Sequence, residues 1–248
     1  MATAAVIRAA QPRLRAAAAE SERSSLADQI EQLATELFIR HGYNGVSYLD
    51  ISKALGITHS NVHYYFRTKD QLAHAVLKRV AGETLTATGA IWSKPDTSLL
   101  QKIAAMRDWT YGWYLRFNPK GASGRPWGLL TRFSMEADVL TSEMRQTMRA
   151  TLQELEDQIR RAVAGAVASG EFSPDTPVDG VTLQLSSVLF LTGALTRHAA
   201  GFSKLDQLFM WTVIALFKAY GGPAHSKVRW VAFDGSAPIA AARKRAAR

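Results

Sequence analysis

The sequence predicts an all-α protein, with an N-terminal three-helix unit followed by a larger helical body and about nine helices in all. Three observations predict it. Apolar residues recur at helical spacing from Ser25 to Tyr220, and glycine or proline stands where each repeat stops. Residues 47–66 read as two short helices joined by a glycine turn. The last two apolar stretches are hydrophobic nearly all round, as helices with neighbours on every side are.

Residues 1–24 are rich in Ala, Arg and Gln without a clean apolar stripe, which predicts a flexible basic leader carrying Arg13, Arg15 and Arg23. From Ser25 the residues Leu26, Ile30, Leu33, Ala34, Leu37 and Phe38 define a first helix, which Gly42 stops. Ser47 is a good N-cap for the second, and Asp50 three residues on completes a capping-box-like pair. Ile51, Ala54 and Leu55 supply its apolar face, and Gly56 ends it as a C-cap. Thr58 caps a third helix that buries Val62 and Phe66 at i, i+4 and turns His59, Ser60, Asn61, His63 and Tyr64 outward. Two helices, a glycine turn and an exposed polar face on the second make a helix-turn-helix pattern, whose second helix enters the DNA major groove.

Lys69 opens a helix that Leu72, Val76 and Val80 carry to about Trp92. Pro95-Asp96 marks a break. Leu99, Leu100, Ile103, Met106, Trp109, Trp113 and Phe117 then define a long aromatic helix, ended by Asn118-Pro119-Lys120-Gly121. Trp127, Leu129, Leu130, Phe133 and Met135 form a shorter one. The next runs from about Thr141 to Ser169 with Met144, Met148, Leu152, Leu155, Ile159 and Val163 on one face, and Pro174 and Pro177 keep the following linker extended. The last two helices run from Val181 to Ala200 and from Leu205 to Tyr220. Gly221-Gly222-Pro223 ends the folded body. The basic tail that follows holds a short apolar segment at Val228 to Phe233 and Arg243, Lys244, Arg245 and Arg248 near its end. The expected domains are therefore a leader at 1–24, a helix-turn-helix domain at 25–80 with its motif at 47–66, a body at 81–220 and a tail at 221–248.

Composition narrows the function. With 248 residues, 47% of them hydrophobic, the chain can bury a substantial core. It has no cysteine, which excludes disulfides, thiolate zinc sites and thiol-based sensing. No apolar run has the length of a membrane span, and a soluble cytoplasmic protein is the expectation. The net charge of +9 is unevenly placed: residues 25–92 are neutral, and the last 28 residues carry +5. Local pattern, not bulk charge, marks a DNA binder here.

Phe38, Gly42-Tyr43, Val46-Ser47 and the closing run Tyr64-Tyr65-Phe66-Arg67-Thr68-Lys69-Asp70-Gln71-Leu72 frame the motif. Over roughly residues 25 to 80 this resembles the N-terminal domain of the tetracycline-repressor (TetR) family. The resemblance implies a ligand-responsive transcriptional regulator bound to double-stranded operator DNA, most often a homodimeric repressor released by a small organic inducer. An activator or a corepressor-dependent regulator fits the same residues. It places base-reading positions at His59, Ser60, Asn61 and His63, with Asn61 able to pair with adenine in a bidentate way. Ser47, Thr58, Tyr64, Tyr65 and Lys69 fall where the family holds the DNA backbone, their hydroxyls and ammonium donating to phosphate. The sequence departs from the family in having His59-Ser60 where lysine then glycine are common, so the exposed helix carries no Lys or Arg. Two histidines there suggest operator affinity that falls as pH rises.

The resemblance also implies an inducer pocket, for which Trp109, Trp113, Tyr114, Phe117, Trp127 and Phe133 are the candidates, with Arg107, Arg116, Arg132 or His198 to anchor an acid. It implies a homodimer through the last two helices, about 177–200 and 203–220. The helix from Lys69 is the family element whose tilt carries ligand binding to the DNA-reading unit.

Rival classes lack matching residues. No phosphate-cradling glycine loop, His-Glu-x-x-His helix or nucleophile motif appears, so no enzyme is expected. His59 and His63 have a spacing that suits zinc, but no third ligand accompanies them, and no metal or cofactor is expected. A helical interaction module using its basic tails, at a membrane surface or elsewhere, would leave residues 47–66 unexplained.

Overall fold

Where the apolar repeat is helical the chain is helical, in a computed structural model that describes residues 25–121 and 123–224. Among those residues there are ten helices and no strand. The leader at 1–24 and the tail from residue 225, with the segment at Val228 to Phe233, lie outside the described residues. Contacts divide the chain into two units that meet between Val76 and Leu77, inside a helix.

In the first unit α1 occupies residues 25–41, α2 Tyr48–Leu55 and α3 His59–Tyr65. Helix α4, Lys69–Trp92, starts in this unit and runs into the second. Ile30, Ala34 and Phe38 of α1 are wholly buried, as are Ile51 of α2, Val62 of α3, and Leu72 and Val76 of α4. The buried face of α2 differs from the expected one: Tyr48, Ile51 and Ser52 are buried and Ala54 is exposed. Tyr48 turns the helix that way, because its hydroxyl donates to the Phe66 carbonyl at 2.8 Å, across the motif.

The second unit holds α5 (Leu99–Phe117), α6 (Leu129–Ser134), α7 (Ser142–Ala168), α8 (Val178–Phe190), α9 (Thr192–His198) and α10 (Ser203–Tyr220). The expected single helix from Val181 to Ala200 is thus two, bent by 48° at Leu191, and the bend raises the count from nine to ten. Hydroxyl back-bonding flanks the break. Ser187 Oγ donates to Leu183 O at 2.7 Å and Thr192 Oγ1 to Leu189 O at 2.9 Å, a pattern that bends helices. Gly193 follows the break, where an added Cβ would lie 2.7 Å from Thr131 Cγ2, so α6 fills the space a side chain would need. No single helix among the described residues is long and apolar enough to cross a membrane.

Two polar contacts that the apolar pattern does not reveal tie this unit together. Thr88 of α4 donates to Gln158 Oε1 of α7 at 2.7 Å, and Gln158 Nε2 donates to Leu85 O at 3.1 Å. Both side chains are buried. Glu171, also buried, accepts from the first N–H groups of α5, Leu99 at 2.7 Å and Leu100 at 3.2 Å. A carboxylate there meets both unsatisfied donors and the positive end of the helix. Glu171→Ala is expected to cost about 2 kcal/mol, since it strands two buried donors. Glu171→Gln should recover part of the loss, read as the shift of the denaturant midpoint.

Candidate nucleic-acid interface

The turn between α2 and α3 is built by caps. Ser47 Oγ accepts the Asp50 N–H at 3.3 Å and donates to Asp50 Oδ2 at 2.6 Å, and the Ser47 N–H donates to the same carboxylate at 2.9 Å. These bonds, the hydroxyl's first and then the amide's, hold the Asp50 carboxyl below the usual carboxylate range. Gly56 closes α2 at φ 67°, in the left-handed region that suits glycine. Thr58 Oγ1 then accepts the Asn61 N–H at 3.2 Å and donates to Asn61 Oδ1.

A hydroxyl has one proton to give. In the free chain Ser47 gives it to Asp50 and Thr58 to Asn61, so the phosphate donation expected of both hydroxyls requires those bonds to open. Asn61 is likewise folded onto its own helix cap. Its carbonyl oxygen accepts from Thr58 Oγ1 and keeps a second lone pair, so a bidentate adenine contact is compatible with the cap.

Around the wholly buried Val62, the side chains of His59, Ser60, Asn61, His63 and Tyr64 are exposed, Tyr64 at 65%. Tyr64 and Tyr65 meet edge to face, ring centroids 5.2 Å apart. Lys69 Nζ lies 4.5 Å from the centre of the Tyr43 ring. The Tyr43 hydroxyl donates to Asp70, and burial first, then that bond and the negative charge of Asp70, push its pKa well up.

Tyr48 is the residue of this face that sequence reasoning missed. Its ring lies 4.7 Å from that of His63 and 6.0 Å from that of His59, and the two imidazoles are 4.6 Å apart. Burial and then the charge of Asp70 push the Tyr48 phenol up to about 12, so it stays protonated as the donor to Phe66. A tyrosine eight residues before a glycine C-cap gives no signal of this contact, because the contact depends on how α2 crosses α3. No group of three or more His, Asp or Glu side chains among the described residues is placed to hold a metal ion.

In the second unit the six aromatic candidates do not form one group. Tyr114 and Phe133 are wholly buried, Trp127 and Phe117 nearly so, and Trp109 and Trp113 half-buried. Tyr114 packs against Trp127 and Phe202 at 6.2 and 5.3 Å. Its hydroxyl donates to Ser123 O at 2.6 Å, and Trp127 Nε1 donates to Thr196 Oγ1 at 2.8 Å. Trp109 and Trp113 pair at 6.2 Å on a different face of α5, with the Arg116 guanidinium 5.3 Å from the Trp113 ring centre. Of the expected acid anchors, Arg107 is committed to Asp206 at 2.7 Å and Asp108 at 2.8 Å. His198 is exposed. Arg132 pairs with Glu136 at 2.8 Å, and its buried Nε has no partner.

Residues 30–76, which contain the whole capped turn, match the bacterial regulatory proteins of the tetR family. The chain is 24% identical over 173 residues to the HTH-type transcriptional regulator RutR of Escherichia coli (strain K12), covering 68% of this chain and 71% of that one. Among solved structures it resembles a TetR-family transcriptional regulator from Agrobacterium tumefaciens, with a TM-score of 0.70, 21% identity and 78% and 98% of the two chains covered. A TetR regulator from Chloroflexus aurantiacus J-10-FL superposes with a TM-score of 0.69 at 21% identity over 82% and 99% of the chains.

Proposed function

Since the chain belongs to the TetR family of DNA-binding transcriptional regulators, we propose that it acts as a homodimeric repressor released from its operator by a small organic inducer. The observation that carries the reading is the capped α2–turn–α3 unit, which holds His59, Ser60, Asn61 and His63 exposed around a buried Val62. A short recognition helix offers three or four side chains to base edges, and these four fill that role. Tyr64, Tyr65 and Lys69, with Ser47 and Thr58, hold the phosphates on either side and set the register.

The second subunit docks on the apolar face that α8, α9 and α10 leave uncovered in one chain, where Leu183, Leu191 and Trp211 are each more than half exposed. Tyr114 and Trp127, which pack together, frame the inducer site, with Trp109 and Trp113 paired apart from them, and Arg132 with its unpartnered Nε is the anchor left for an acidic group. Helix α4 carries residues of both units, and ligand binding acts by favouring a state in which the two recognition helices no longer match successive major grooves, roughly 34 Å apart. An activator would instead bind DNA more tightly with ligand.

A gel-shift of the full chain against the DNA upstream of its own gene, with salt and a panel of small organic acids and neutral aromatics varied, tests the reading. The expected result is a salt-sensitive, sequence-selective complex that at least one compound dissolves. Binding equal to that of random duplex would refute a regulatory role, and compounds that only strengthen the complex would replace repression by corepression or activation.

A further inference from the structure

The His63 ring is fixed in one orientation. Its Nδ1 lies 3.3 Å from the carbonyl oxygen of Arg67, one turn on. A carbonyl has no proton, so the nitrogen must donate, and the neutral imidazole therefore keeps its hydrogen on Nδ1. The Tyr48 ring packs edge-on against the imidazole at 4.7 Å, and Tyr48 is itself pinned by its bond to Phe66. The His59 ring lies 4.6 Å away and 6.0 Å from that of Tyr48, so the three rings cluster. The one lone pair left on the neutral ring is then that of Nε2, on an exposed side chain.

We propose that His63 is an acceptor-type base reader, held by Tyr48 and the Arg67 carbonyl so that Nε2 selects an exocyclic amino group, cytosine N4 or adenine N6, in the major groove. Those two are the donors that base pairs present there, whereas guanine and thymine offer acceptors at the equivalent edge. The inference rests on the DNA-reading role of α3 proposed above and adds the hydrogen-bond polarity of one position. Asn61, whose amide can both donate and accept, has no such single polarity. Tyr48 is a positioning residue, and it touches no base.

The test begins by selecting duplexes from a random library with the full-length protein at about pH 8, above the ordinary histidine range. Each cytosine or adenine of the selected half-site is then replaced in turn by an analogue lacking its exocyclic amino group. Wild type is expected to lose about tenfold in affinity at one such position, the value of one well-placed hydrogen bond to a base. In His63→Phe, which keeps a ring against Tyr48 but has no nitrogen, that penalty should shrink to within twofold at that position alone. His63→Gln, whose amide oxygen accepts, should retain part of it. The base at the sensitive position says whether cytosine or adenine is read. A penalty that persists in His63→Phe, or a selected half-site in which no amino deletion weakens wild type, overturns the assignment while leaving DNA reading intact. Failure to enrich any duplex overturns the DNA-reading role itself, and this inference with it.

Discussion

Replacing Asp206 with alanine is expected to lower the unfolding free energy of the second unit by about 3 kcal/mol, because it breaks a buried ion pair from one side. The Arg107 side chain is 5% exposed, and its Nε donates to Asp206 Oδ1 at 2.7 Å, joining α5 to α10. Burial alone would lower the pKa of that guanidinium. The hydrogen bonds to Asp206 and then Asp108 outweigh it and hold the pKa above the ordinary arginine value; without Asp206 the guanidinium stays charged because of its own strong basicity. Asp108 does not replace Asp206, since its own side chain is 53% exposed and a pair on that side is worth no more than about 1 kcal/mol. The double replacement Arg107→Met with Asp206→Leu should regain much of the loss, as apolar substitutes for whole buried pairs do. Denaturant midpoints of these variants and of Asp108→Ala check this. If Asp108→Ala cost as much as Asp206→Ala, the link between α5 and α10 would not be the one that matters.

The second large effect concerns the pairing of subunits. Trp211 of α10 is 62% exposed and Leu183 of α8 is 61% exposed, with Phe190 and Leu191 completing the apolar stripe. Tryptophan anchors at the centre of an interface cost 2 kcal/mol or more on truncation, and a buried charge adds to that. Trp211→Glu is therefore expected to weaken self-association by about a hundredfold or more. DNA affinity should fall with it, because each subunit alone reaches one half-site and the gain from simultaneous binding is lost. Met135→Glu is the control, a residue 60% exposed just after α6 and outside that stripe, and it should leave the mass unchanged. Sedimentation equilibrium reads both. A Trp211→Glu protein that keeps the wild-type mass would remove this face from the proposed assembly.

The elements most legible from residues alone were those with strong local signals. The caps at Ser47, Gly56 and Thr58 stand where the pattern puts them, because capping involves only neighbours a few residues apart. The exposed set on α3 follows in the same way from the burial of Val62 and Phe66. The break at Leu191 was hidden, since Ser187 and Thr192 read as ordinary helix residues until their hydroxyls are seen bonded back along the chain. Glu171, Gln158 and Tyr48 were hidden for a different reason. Their partners lie 72, 70 and 18 residues away, and no periodicity records such a contact. The aromatic candidates on α5 looked alike in sequence, yet the turn of the helix separates Tyr114 from Trp109 and Trp113.

In the proposed assembly α3 meets bases, once from each of two subunits. Footprinting the full-length protein on its selected duplex with a reagent that attacks bases in the major groove tests this most directly. The predicted result is two protected patches centred about 34 Å apart along the duplex, both lost when Ser60 and His63 are replaced by alanine while the fold and mass are kept. A single patch, or two patches that survive those replacements, would contradict it.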